Sequence, residues 1–243
     1  MADVTAQITA SLDALTREFD IIANNMANAS TAGYKRRCNA FAQALDDLAG
    51  TQEGSGQQEG SGPSALDFSQ GSLVQTGRSL DFALHGKGFF VIETPDGPLY
   101  TRHGVFQTNQ NGQIVDMSGR MVAGTSGPIT LPSDVDPSGI HVAADGRISA
   151  GSTGIGEFRV VEFPNAEDRL IPAGNTCFVA PKDMEPLDAQ SPVVKQGYQE
   201  ASNVTLVDEL VNMITVSRLY ESNMRLVNVK KDATNSLISV AMG

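Results

Sequence analysis

The chain of 243 residues carries 28 acidic against 17 basic side chains, and the resulting formal charge of -11 sets it against phosphate backbones and anionic lipid as partners. Its length allows one or two domains with a sizeable core. Zero Trp and 24 Gly point to many turns rather than to an aromatic-lined ligand pocket, and Cys38 and Cys177 stand too far apart for a CxxC metal or redox motif.

The opening stretch, MADVTAQITASLDALTREFD, has no basic start followed by an unbroken apolar run, so no Sec-type signal peptide is expected. No run of roughly 18 apolar residues is available to span a bilayer. From about Val4 to Ala29, Ile8, Leu12, Leu15, Phe19, Ile22 and Met26 recur at alternating steps of four and three. That spacing is the seam of a coiled-coil helix, and it needs a partner helix. Asp13, Arg17, Glu18 and Asp20 lie off the seam. The amides of Asn24, Asn25 and Asn28 can fix register within a helix interface, and Gly33 supplies a helix stop. Tyr34, Lys35, Arg36 and Arg37 read as a basic exit segment, with Phe41, Leu45 and Leu48 continuing as a short helix or an extended arm. Residues 50–64 repeat QEGSG and hold almost no apolar side chain, a linker composition.

From about Ser72 to Pro181 the period changes from helical to alternating, and the segment is expected to be all-β. Candidate strands are 82–84, 89–93, 99–103, 105–108, 113–117, 120–123, 140–143, 147–149, 157–163 and 176–180. Asp96-Gly97, Asn111-Gly112, Ser118-Gly119 and Asp145-Gly146 stand between them as hairpin turns, which predicts a meander or small barrel. After Ala201 the helical period returns through Leu206, Leu210, Met213, Ser217, Tyr220, Met224 and Val227. Ser202 or Asn203 is the expected N-cap, with Asp208 and Glu209 opposing the positive helix end. About forty helical residues at roughly 1.5 Å each make a rod near 60 Å long, more than a small β domain can cover.

The fold class expected is therefore α+β, with N- and C-terminal helices paired as a coiled-coil stalk around an inserted all-β domain. The division is 1–36 as the N-terminal helical assembly segment, 37–71 as arm and linker, 72–186 as the β-rich outer domain, and 187–243 as the C-terminal helical assembly segment.

Three ordered blocks resemble the axial proteins of the bacterial flagellum, the rod, hook and hook-associated subunits. Ala23-Asn24-Asn25-Met26-Ala27-Asn28 followed by Thr31, Gly33, Tyr34 and Lys35 matches the family's ANNxAN and TxGYK signature; residues 77–122 look like its β core, with GKGFF and YTRHGVF; residues 196–225 resemble its C-terminal helix, with SNV and ELVNMI. Within the family the length is similar to a basal-body rod subunit of the proximal or distal type. The GSG-rich linker and FSQGSLVQTG, standing where the distal type has a longer segment, favour the shorter type. The resemblance implies a homo-oligomer in a hollow helical polymer that contributes to motility, with other rod and hook subunits as neighbours. It also implies export, unfolded, by the flagellar type III apparatus to the periplasmic rod of the basal body, with no cofactor and no catalysis. The terminal helices would line the tube and the β domain would form its outer layer. Asn24, Asn25 and Asn28 would then hydrogen-bond across subunits, and Gly33 with Tyr34 would turn the chain outward. Ile8, Leu12, Leu15, Phe19, Ile22, Met26, Leu206, Leu210, Met213, Tyr220, Met224 and Val227 complete the expected assembly interface.

Catalysis has no anchor in the residues. His85, His103 and His141 lack metal-ligand spacing, Asp46-Asp47 and Asp208-Glu209 are adjacent rather than convergent, and no GxSxG elbow is present. The alternative from another class is a secreted binding module, its β domain reading a surface or carbohydrate and its helices oligomerising as a stalk.

Overall fold

A computed structural model describes residues 2–38, 65–133, 135–164 and 167–242. The expected arm at Phe41, Leu45 and Leu48, the acidic pair Asp46-Asp47 and the linker at 50–64 lie outside the described residues. Helix α1 spans Ala2–Ala27 and helix α2 spans Leu206–Met242. Neither contains Gly or Pro, and Asp208 and Glu209 occupy the first turn of α2, where they oppose its dipole.

The chain divides into two compact units. One comprises Met1–Ala27, Arg37–Ala65 and Val204–Gly243; the other comprises Asn28–Arg36 and Leu66–Asn203. The chain is thus α+β, with a large β-rich unit inserted between two terminal helices.

In the helical unit, Ser11 Oγ accepts from Asn223 Nδ2 at 2.8 Å and Asn25 Nδ2 donates to Glu209 Oε1 at 3.3 Å. The step from Ser11 to Asn25 equals the step from Asn223 back to Glu209, so α1 and α2 run antiparallel in a single register. On α1 the expected seam is the covered face: Ile22 is buried, and Ile8, Leu12, Leu15, Phe19 and Met26 are half-buried. On α2 the covered positions are Glu209 and Val216, flanked by half-buried Asn212, Met213, Ser217, Asn223 and Val227. Leu206, Leu210, Tyr220 and Met224, expected on the seam, are exposed. Apolar residues occupy most of the circumference of α2 near its start, so a four-three spacing fits two neighbouring phases there and periodicity alone does not choose between them.

In the β-rich unit the main sheet is antiparallel throughout. Its order is Ile171–Pro172, Cys177–Val179, Leu99–Thr101, Phe89–Glu93, Met121–Gly124, Ile114–Val115 and Gln107–Thr108. Val160–Glu162 joins it against Phe89–Glu93 and carries Leu187–Asp188, while Gly127–Pro128 pairs with Met121–Gly124. A separate three-stranded sheet holds Ile140–Val142, Arg147–Ala150 and Thr153–Glu157. The strand Phe89–Glu93 explains the apolar run FFVIE: Phe90 and Ile92 face one core with Phe82, Phe106 and Phe158, while Phe89 and Val91 face a second with Tyr100, Phe163 and Phe178. Edge-to-face ring pairs, Phe82 with Phe158 at 4.9 Å and Tyr100 with Phe163 at 4.8 Å, fill the two cores. The predicted hairpin turns hold, each with a positive φ at its glycine.

Among the strands that escaped the sequence reading, two lie on the approach to α2. Val194–Gln196 pairs with Phe82–Leu84, and Tyr198–Glu200 pairs with Leu73–Gln75. Each is short and mixes polar with apolar residues, so neither period nor composition marks it. Both bring the C-terminal approach to α2 into the β-rich unit.

Candidate assembly site

Within the β-rich unit, the stretch that follows α1 and the stretch that precedes α2 are held in one buried cluster of charge. Lys35 Nζ sits 2.7 Å from Glu200 Oε1 and donates to Ser69 O at 2.7 Å, with the two charged side chains 1% and 0% exposed. Glu200 Oε1 also accepts from Gly71 N at 3.1 Å, and its backbone oxygen accepts from Gly33 N at 2.7 Å. Arg102 completes the cluster: Nη1 lies 3.5 Å from Glu200 Oε2, Nη2 donates to Gly86 O at 2.6 Å, and the guanidinium stands 5.4 Å over the Phe89 ring. Burial pulls the Lys35 ammonium below the usual lysine range, against the opposing pull of the Glu200 carboxylate. The same loss of solvent lowers Arg102, again against Glu200. One carboxylate thus stands between two buried cations.

Asn203 ties the same strands together. Its Oδ1 accepts from Arg36 N at 2.7 Å, and its Nδ2 donates to Asp67 O at 2.9 Å and to Ser69 O at 3.2 Å. It therefore does not cap α2 as expected, because its amide is spent inside the β-rich unit and the helix starts beyond it at Leu206. Two glycines make the closeness possible. Gly33 has φ +68°, and a Cβ there would stand 2.5 Å from His103 N; a Cβ on Gly71 would stand 1.9 Å from Ala201 O. Gly33 is thus both the turn after α1 and a close-approach position. Tyr34 beside it is half-buried.

The asparagines of the N-terminal signature divide their roles. Asn25 is fully buried; its Nδ2 donates to Arg37 O at 2.8 Å and its Oδ1 accepts from Arg37 N at 2.8 Å, in addition to the Glu209 contact. Asn24 is exposed and donates back to Asp20 O at 2.9 Å, while Asn28 Oδ1 accepts from Thr31 Oγ1 at 3.2 Å. Within the chain Asn24 and Asn28 bond close in sequence, whereas Asn25 also reaches α2.

Sequence reasoning placed Lys35 in a basic exit segment and in the N-terminal signature, and did not single out Glu200 or Arg102. Spacing could not have found them. The available signal was that Lys35, Arg102 and Glu200 all fall inside the three blocks that carry the family resemblance. Among the described residues no group of His, Cys, Asp and Glu is placed to hold a metal ion.

Opposite the covered stripe of α2 lies a different surface. Val207, Leu210, Val211 and Ile214 follow helical spacing on the side away from Glu209 and Val216 and are 67%, 42%, 57% and 53% exposed, with Leu206 at the margin of the face, 48% exposed. The α2 side that meets α1 mixes Glu209, Asn212, Ser217 and Asn223 with Met213, Val216 and Val227, whereas its uncovered side is aliphatic over the first turns, to Ile214. That exposed face suits contact with other chains.

A helical unit with a bare aliphatic face on α2, and a β-rich insertion whose entering and leaving stretches meet in a buried charge cluster, define a structural protein of the assembling kind. Three family models match the chain in order: flagella basal body rod protein over 11–35, the flagellar hook protein FlgE/F/G D1 domain over 83–150, and the flagellar basal body rod FlgEFG protein C-terminal region over 195–240. The flagellar basal-body rod protein FlgF of Mesorhizobium japonicum is 33% identical over 227 residues, covering 93% of this chain and 92% of that one. The rod protein FlgG of Buchnera aphidicola subsp. Schizaphis graminum is 33% identical over 93% of this chain and 95% of its own, and the FlgF of Caulobacter vibrioides is 34% identical over 92% and 91%. The chain belongs to the flagellar basal-body rod protein family, as the resemblance implied. Membership supports a structural role in the basal body alongside other rod and hook subunits, and the secreted binding module finds no support. Among the described residues no helix is long and apolar enough to cross a membrane.

Proposed function

We propose that the chain polymerises with copies of itself into the hollow helical tube of the rod and transmits torque through it, after unfolded export by the flagellar type III apparatus. α1 and α2 pair as a coiled coil within each subunit, and the uncovered side of α2 meets neighbouring copies. Segments 1–36 and 187–243 carry assembly, 37–71 serves as arm and linker, and 72–186 forms the β-rich outer domain. In this reading Ile8, Leu12, Leu15, Phe19, Ile22, Met26, Met213 and Val227 hold the pair together, whereas Leu206, Leu210, Tyr220 and Met224 serve contacts between subunits.

The carrying observation is the aliphatic face from Val207 to Ile214, exposed on the side of α2 away from the stripe of Glu209 and Val216 that meets α1. A contact between unlike surfaces of identical subunits builds an open helical assembly when its rotation does not close a ring, which is what a helical tube requires. The helix pair has a narrow seam and gains stability when neighbours cover it. Combined Val207→Ser, Val211→Ser and Ile214→Ser replacement tests the reading. The variant chain should keep its β-sheet and helix signals in solution, while cells carrying it as their only copy lack rods and do not swim. Normal swimming in those cells would overturn the proposal.

A further inference from the structure

Each terminal helix carries a second, charged stripe on the side turned away from its partner. On α1 this stripe is Asp13, Arg17 and Asp20; on α2 it is Arg218, Glu221 and Arg225, and all six residues are exposed. The α1 triad reads acid, base, acid at steps of four and three. The α2 triad reads base, acid, base at steps of three and four. Reversed in direction, the second spacing is the first, with every sign inverted.

We propose that the outer face of α1 is the docking site for the outer face of α2 from a second copy of this chain. The helices lie antiparallel, with Asp13 opposite Arg225, Arg17 opposite Glu221, and Asp20 opposite Arg218. The inference rests on the polymer reading above and names its contact. The register follows from the spacings. Of the antiparallel alignments, this one brings all three charges of each triad against an opposite charge.

The internal contacts Asn25 to Glu209 and Ser11 to Asn223 fix the register within one chain, and the register between copies is shifted from it by about one helical turn. The same α2 helix can therefore meet its own α1 on one side and a neighbour's α1 on the other. Carried toward the start of α2, the register sets Ile214 across from Asn24 and Val211 across from Ala27, so the aliphatic face continues the charged stripe.

Charge complementarity also selects the occupant. A chain with a net charge of -11 repels its own copies as a whole, so self-association needs local patches of opposite sign in register. Within its own helix each triad also places unlike charges one turn apart, an arrangement that stabilises the isolated helix. Reversing a whole triad keeps that internal pattern and shifts the net charge by two units, upward for the α1 triad and downward for the α2 triad, so a loss common to both variants reports the contact between copies rather than overall repulsion. Because the two outer faces point to opposite sides of the helix pair, the contact is head to tail and leaves a free face at each end.

The test uses the purified full chain and two variants. The first combines Asp13→Arg, Arg17→Glu and Asp20→Arg; the second combines Arg218→Glu, Glu221→Arg and Arg225→Glu. Circular dichroism should show unchanged helix content in both. In sedimentation and electron microscopy each variant alone should need a concentration about tenfold higher than the unmodified chain to form polymer, the scale of several surface ion pairs turned into like-charge contacts. An equimolar mixture of the two should recover polymer, since each then offers the face the other lacks, and so should a chain carrying both reversals.

Polymer that forms equally well from every variant would overturn the contact and leave the polymer reading intact. Loss in both variants with no recovery in the mixture would overturn self-recognition and point to a different chain as the occupant. Unmodified chain that stays monomeric at all concentrations would overturn the polymer reading, and the contact with it.

Discussion

Lys35 and Glu200 lie 165 positions apart in sequence and 2.7 Å apart in space, both shut away from water. The pair joins the stretch leaving α1 to the stretch approaching α2, and Arg102 makes Glu200 the anion that serves two buried cations. Such a cluster is sensitive to loss of one member, because the others keep the cost of burial without its compensation. Glu200→Gln should destabilise the β-rich unit by about 3–5 kcal/mol in denaturant unfolding. Lys35→Met should cost less, since it removes one of two like charges. Equal losses in the two variants would contradict this account of the cluster.

The close approaches behind the clamp predict a second pair of effects. Gly33→Ala places a methyl group against the backbone of His103 in a left-handed conformation, and Gly71→Ala drives one into Ala201 O. Each should lower stability by on the order of 3 kcal/mol, and Gly33→Ala should do so although alanine favours helix in the preceding segment. Thermal unfolding of either variant at the unmodified midpoint would show that the backbone yields at that point.

Asn25 supplies both an acceptor and a donor to Arg37, and it meets Glu209 across the helix pair. Asn25→Ala should cost about 2 kcal/mol, from backbone groups left unpaired. Hydrogen exchange at the Arg37 amide should accelerate while that at Phe90 in the sheet core does not. An unaltered Arg37 amide would contradict the assigned role.

His103 gives the pH dependence its sign. Burial holds its imidazole below the ordinary histidine value, against the weaker pull of Asp116 and Asp81. Its contribution to stability is therefore complete above the unfolded value and is lost as pH falls through the lowered folded value. The unfolding midpoint should fall on mild acidification from neutrality, and His103→Gln should flatten that fall. An unchanged slope in the variant would exclude His103 as its source.

Much of this organisation was legible in the chain itself. The α1 seam from Ile8 to Met26, the hairpin turns and the strands Phe82–Leu84 and Phe89–Glu93 announce themselves through local period and turn chemistry. The α2 seam did not, because Leu206, Leu210 and their neighbours are apolar on nearly every side and the stripe that meets α1 is marked by Glu209 and Asn223 instead. The clamp was hidden for a different reason. Lys35, Arg102 and Glu200 look like ordinary surface charge until three distant segments are folded together, and nothing local to any of them records the other two.

The central claim, that α2 turns its aliphatic face to other copies in the assembled rod, is tested most directly by thiol accessibility. In a chain with Cys38→Ser and Cys177→Ala, Val211→Cys should react readily with a maleimide in the purified monomer and be protected in isolated hook–basal bodies. A control Val74→Cys on the exposed strand Leu73–Gln75 gives the label's reach in the same particles. Protection at position 211 in assembled bodies alone is the predicted result; equal reactivity in monomer and assembly would contradict it.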